Sequence, residues 1–254
     1  MPAALTTLVL AMFSIDLATP VSEVTGSALP ASLLRGQAKS FPSLTQIWGV
    51  NPNIGPSRAW TVHGLWPDLC NGNYSGNCAP DRELSNITAI LRQNGQRSLL
   101  KVMNKYWLSN NGTNENFWEH EYNKHGTCIS TLEPKCSKKT HKEPFPEVTA
   151  YFSKTMELYK KLPTYKWLKA KGITPSTTRT YNLTQIHDAI VSKTGFIPSV
   201  RCVNGYISEI WYYYLVQGSV SNGKFTHSAP DASKDTCPDV GIKYVPKGTM
   251  IPSV

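Results

Sequence analysis

The sequence has no C-x-x-C pair, no apolar run long enough to cross a bilayer, and no internal repeat. The first absence argues against a zinc ribbon or a thioredoxin-like redox centre. The second excludes a membrane span, which needs about 20 apolar residues. No carboxylate-rich motif of the calcium- or magnesium-binding kind is present, so no metal or other cofactor is expected. Low-complexity and collagen-like composition are also missing, so the chain reads as globular.

What is present narrows the reading. At 254 residues the chain holds one sizeable core and is short for two full domains. The net charge of +9 and pI of 9.2 favour a polyanionic partner, although charge alone does not separate binding from solubility. The six cysteines allow 15 pairings, and disulfides in an oxidising compartment account for them best. Met1–Ile15 carries no charged side chain and fits the apolar region of a signal peptide, expected over 1–18, although the basic leader is missing. Secretion is the expected route, with vacuolar or lysosomal delivery as another destination. Glycosylation sequons at Asn73, Asn86, Asn111 and Asn182 are compatible with that route and are not evidence for it.

Residues 19–43 show no clear period and read as an irregular arm, with the folded unit, 44–254, beginning near Leu44. Trp60–His63 is β-prone and closed by a turn at Pro67-Asp68. Helical spacing runs from Arg82 to Tyr106, interrupted near Asn94-Gly95, and again over Phe117–His125, where Gly126 suits a left-handed cap. Phe145–Leu162 is a strong amphipathic helix, followed by helical candidates at Tyr165–Ala170 and Leu183–Thr194. Gly205–Gln217 is a β-branched and aromatic run typical of a buried strand, and Phe225 and Tyr244–Val245 suggest two shorter ones. Helices grouped mid-chain with strands at both ends imply an α+β domain.

Three histidines fall in WTVHGLWPD (60–68) and FWEHEYNKHGTC (117–128). On a helix, Phe117, Glu121, Lys124 and His125 share one face, and His120 neighbours Lys124 at i+4. This gathers an acid, a cation and two imidazoles beside aromatic rings, which a merely solvated face rarely does. Histidine suits both halves of a proton-transfer reaction because its unperturbed pKa is near 6.5. A metal-dependent phosphoesterase using His63, His120, Glu121 and His125 is a competing reading, but Lys124 would repel the cation. A catalytically dead binding relative is another.

These two segments, in this order and spacing, resemble the signature pair of the ribonuclease T2 family of base-nonspecific endoribonucleases. The likeness covers residues from about 44 to 240. Residues 48–56 look like the family's approach strand and loop, Leu108–Phe117 like its base-binding loop, and Gly205–Gln217 like its late core strand. The resemblance implies a single domain with a central, mainly antiparallel sheet and flanking helices. It implies metal-independent cleavage of single-stranded RNA to 2′,3′-cyclic and then 3′-phosphate ends. His125 would be the general base and His63 the general acid, while His120, Glu121 and Lys124 hold the phosphate. Trp66, Asp68 and Tyr74 would form a first base site, and Phe117, Ser109 and Asn110 a second. RNA is then the expected partner, without DNA-specific contacts, and a monomer is expected. The resemblance also implies disulfides Cys78–Cys128 and Cys202–Cys237.

The sequence departs from the family ahead of Trp48. It holds no cysteine there, which leaves Cys70 and Cys136 free or paired with each other. It also lacks the hydrophobic first strand expected before Leu44-Thr45-Gln46-Ile47-Trp48.

Overall fold

The computed structural model describes residues 40–50, 54–69, 73–136, 143–230 and 234–251. The signal-peptide and arm assignments, Cys70 and His141 therefore lie outside the described residues, except for the end of the arm. That end corrects the sequence reading. A strand, β1, spans Ser40–Ile47 and lies between β2 (Thr61–Leu69) and β5 (Tyr206–Gln217), antiparallel to both. The expected first strand is thus present. It escaped notice because Ser43, Thr45 and Gln46 are buried polar residues, and hydrophobicity was the signal sought.

Of these, Gln46 has partners for both ends of its buried amide. Gln46 Nε2 donates to the Leu162 carbonyl at 3.0 Å, and the Thr164 hydroxyl donates to Gln46 Oε1 at 2.6 Å. Thr164 also lies 2.7 Å from the Tyr212 hydroxyl. A buried polar group with partners costs little, whereas one left unpaired costs about 1–3 kcal/mol.

The sheet order is β2-β1-β5-β7-β3, with β3 at Thr180–Tyr181 and β7 at Ile242–Lys243. β4 (Ser199–Val203) and β6 (Lys224–His227) also pair with β5. All pairings are antiparallel except β5 with β7. The last strand forms two residues before the predicted Tyr244–Val245, and both of those residues are buried in the core instead. β2 also runs through Pro67-Asp68 to Leu69 rather than turning. Among the described strands it pairs only with β1, and proline is tolerated on such an edge.

The helices follow the sequence periodicity with two shifted starts, the first at Ile87 rather than Arg82 and the motif helix at Asn114 rather than Phe117. α1 (Ile87–Gln93) and α2 (Arg97–Tyr106) break at Asn94-Gly95, where Gly95 has φ +72°. α3 (Asn114–Lys124) begins at Thr113, whose hydroxyl accepts from the Asn116 amide. α4 (Pro146–Lys160), α5 (Thr164–Ala170) and α6 (Leu183–Thr194) follow. The buried residues Val148, Tyr151, Phe152 and Met156 of α4 join Leu44, Val62, Leu65 and Ile210 of the sheet in one core. The domain is α+β, as its sequence implied.

Candidate active site

β2 departs from the regular pleat where the chemistry sits. Thr45 pairs with Gly64 and Gln46 with Val62, so His63 is an extra residue with no partner on β1. Side chains on a regular strand alternate faces, and residues three apart oppose each other. The bulge cancels that alternation, so His63 and Trp66 share one face, with ring centroids 5.0 Å apart. Val62 and Leu65 both point into the core.

α3 supplies the opposite wall. Its C-terminal turn is held by several bonds. The Asn77 amide donates to the Lys124 carbonyl at 2.9 Å, and Cys78 is disulfide-bonded to Cys128. The Tyr151 hydroxyl lies 3.2 Å from the carbonyls of both Leu65 and Glu121, tying α4 to both walls. Gly126 does not adopt the left-handed cap. The helix tightens into a short 3-10 turn, Gly126–Cys128, and a Cβ at Gly126 would meet the Tyr122 ring at 2.8 Å. Close packing, not a positive φ, requires this glycine.

The walls enclose a cavity of about 400 Å³. His63, His120, Glu121, Lys124 and His125 line it, together with Trp66, Asp68 and Tyr74 of the expected first base site. Tyr74 is brought over the cavity by its bridge to Asp68 and by the Leu69 amide donating to the Asn73 carbonyl. Phe117 stands at the edge, its ring 5.7 Å from His63. Ser109 and Asn110 lie on the loop before α3 and do not line this cavity. Ser109 is occupied locally, with its amide donating to Asn114 Oδ1 and its hydroxyl to the Asn111 carbonyl.

The two central imidazoles sit in opposite environments. Around His63, burial opposes charge, but the hydrogen bond to Glu209 and the fields of Glu121 and Glu209 outweigh it, raising its pKa. His125 is 4% exposed and stacks on Trp66 at 5.0 Å. Burial, then Lys124, His120 and His63, push it down to about 3. Glu121 is 1% exposed, and burial raises it to about 7 against the opposing pull of His63 and the Trp66 N–H. That N–H donates to Glu121 Oε2 at 2.8 Å. Burial, Lys124 and His63 together lower His120.

The model of the "Ribonuclease T2 family" matches residues 40–232. The chain belongs to that family. It is 44% identical to "Ribonuclease T2-like" of Aspergillus fumigatus over 82% of this chain, and it spans about half (51%) of that relative's length. It is 45% identical to "Ribonuclease T2" of Aspergillus oryzae, covering 80% of this chain and 73% of the relative. The crystal structure of Actibind, described as a T2 ribonuclease, superposes with a TM-score of 0.79 at 42% identity, over 84% of this chain and 90% of that one.

Both disulfides that the T2 likeness implied, Cys78–Cys128 and Cys202–Cys237, are present, and Cys136 is free and exposed. The sequence reading missed three residues on β4 and β5. Glu209 Oε1 is 2.5 Å from His63 Nδ1, Trp211 Nε1 donates to Glu209 Oε2 at 2.9 Å, and Arg201 lies 4.9 Å over the Trp211 ring. Arg201 and Trp211 line the cavity too. One signal was available: Glu209 is the only charged residue in the largely apolar and aromatic run 206–216, and a carboxylate in such a strand needs a partner.

Proposed function

We propose that the chain is an endoribonuclease that cleaves single-stranded RNA with little base specificity, without a metal ion. The observation that carries this reading is the pairing of two histidines of opposite charge preference across one cavity. His125, kept neutral, takes the proton of the 2′-hydroxyl. The freed oxygen attacks the adjacent phosphorus, and His63, kept charged, protonates the departing 5′-oxygen. The first product is a 2′,3′-cyclic phosphate. The reverse roles then let His63 activate water and His125 return a proton, leaving a 3′-phosphate. Each such proton transfer contributes about 10²–10⁴-fold.

Lys124 and His120 face the phosphate as cations or donors. Glu121, neutral at acidic pH because of its burial, donates to a phosphoryl oxygen instead of repelling it. Lys124 among these groups disfavours a bound divalent cation. The rings of Trp66, Tyr74 and Phe117 offer stacking worth about 1–3 kcal/mol per base, which any base satisfies. All the residues given these roles lie in one chain, and a monomer is the proposed working form. Secretion, with vacuolar or lysosomal delivery as the other destination, fits its disulfides and the exposure of Asn73, Asn86, Asn111 and Asn182, the four proposed glycosylation sites.

The test is digestion of RNA by the purified protein with and without chelator, beside His63→Ala and His125→Ala. Chelator-resistant cleavage with cyclic phosphate ends, lost in both variants, is the expected result. Sensitivity to chelator would favour a metal enzyme, and no cleavage an inactive relative.

A further inference from the structure

A second cavity, of about 270 Å³, lies where α4 passes into α5, beside the residues that lead into β2. Three cations, Arg58, Lys160 and Lys166, and three tyrosines, Tyr106, Tyr159 and Tyr165, line it, and no carboxylate does. Among the described residues none of these cations is in an ion pair. The nearby Glu157 is held by Lys154 and Lys161, at 2.6 and 2.7 Å. Lys105 adds a fourth cation 5.2 Å over the Tyr106 ring.

The aromatic walls are fixed. The Tyr159 hydroxyl donates to the Trp60 carbonyl at 2.7 Å, its ring lies 5.5 Å from that of Tyr106, and Tyr165 stacks on Trp48. Unneutralised cations beside preset rings recognise a phosphodiester with its base, through charge and stacking together. One continuous segment contributes to both cavities, Arg58, Ala59 and Trp60 to this one and His63, Trp66 and Asp68 to the first.

We infer that this basic, tyrosine-lined cavity is a second binding site for single-stranded RNA, holding a nucleotide of the strand outside the cleavage site. The inference rests on the ribonuclease reading for the identity of the polymer, and its test is kept separate from catalysis.

The variant Arg58→Ala/Lys160→Ala/Lys166→Ala removes only surface charge, and circular dichroism checks its fold. Should the triple variant misfold, Lys160→Glu alone carries the same test. Binding is read by fluorescence anisotropy with a 2′-O-methyl RNA, which cannot be cleaved because its 2′-oxygen is blocked. For an oligonucleotide of about ten residues, affinity is expected to fall about tenfold, with a salt dependence shallower by about 2 in log–log slope. The kcat/KM for a dinucleoside monophosphate should not change. Unchanged affinity and salt slope for the oligonucleotide would overturn the site. So would an equal loss for the dinucleotide, which would mean a diffuse field rather than a site. Loss of heparin binding with oligonucleotide affinity intact would give the cavity to a sulfated polysaccharide and overturn the inference. A wild-type protein that binds the long oligonucleotide in this way yet cleaves neither substrate would refute the ribonuclease reading and leave this site standing.

Discussion

Glu209 reaches His63 across a strand that belongs to neither of them. β1 lies between β2 and β5, and Thr45 of β1 pairs with Gly64 on one side and Trp211 on the other. Each strand step is about 4.8 Å, so the two side chains together bridge about 10 Å to meet at 2.5 Å. Trp211 Nε1 holds the other carboxylate oxygen, and Arg201 lies over the Trp211 ring. Burial opposes its charge most, but the bond and field of His63, the Trp211 N–H and Arg201 together keep Glu209 below its ordinary pKa. Glu209 thus fixes the His63 ring with Nδ1 inward and Nε2 toward the cavity.

Glu209→Gln should keep the ring in place but remove the charge that raises His63. The alkaline limb of kcat/KM is then expected to move about one pH unit lower, a tenfold loss on that limb. The acid limb should stay put. A pH–rate profile with both limbs unmoved would mean that Glu209 only fills space.

The wild-type profile should itself be a bell on the acid side of neutrality. His125 must be uncharged, so activity falls as pH drops toward about 3, where it gains its proton. His63 must be charged, so activity falls as pH rises through its raised pKa, above the ordinary 6.5. Initial rates on a dinucleotide substrate across this range provide the check. An alkaline optimum would show that this assignment of the two histidines is wrong.

Gly64→Ala should damage activity far more than stability. A Cβ there would overlap Glu121 Oε2 and lie 2.5 Å from Trp66 Nε1. The pair must separate, which pushes Glu121 off the phosphate position. A fall in kcat of about 10²–10³-fold is expected, the range for losing one such preorganised donor, with little change in Tm. Equal activity would show that the Glu121–Trp66 bond is dispensable.

Removing Cys78–Cys128 by a double serine substitution should cost about 2–5 kcal/mol, measured by denaturant unfolding. The bond closes a separation of 50 residues and anchors the turn that carries Lys124 and His125. Activity should be lost at temperatures where the fold survives. The same change at Cys202–Cys237, whose ends pin β4 rather than α3, should spare kcat at such temperatures.

The helices were legible because each carries its period in consecutive residues, and Asn94-Gly95 marked the break between α1 and α2 correctly. The walls of the cavity were legible as two motifs, since His120, Glu121, Lys124 and His125 lie within one helical turn and a half. β1 was not, because its burial is satisfied by hydrogen bonds from Gln46 and Thr164 rather than by apolar side chains. Glu209 was not either, because its partner stands 146 residues away and no local pattern records a contact of that separation. Two-residue strands such as β3 and β7 are set by their neighbours, not by their own sequence.

The bulge at His63 makes the spacing of the first motif work like a reading frame. Deleting one residue between Val62 and Leu65 would restore the ordinary pleat while leaving Trp66 and His63 both in the chain. The count of residues would then turn one of the two rings toward the core and bring an aliphatic side chain to the cavity. A lineage can therefore neither gain nor lose a position along this strand without losing the site in a single step.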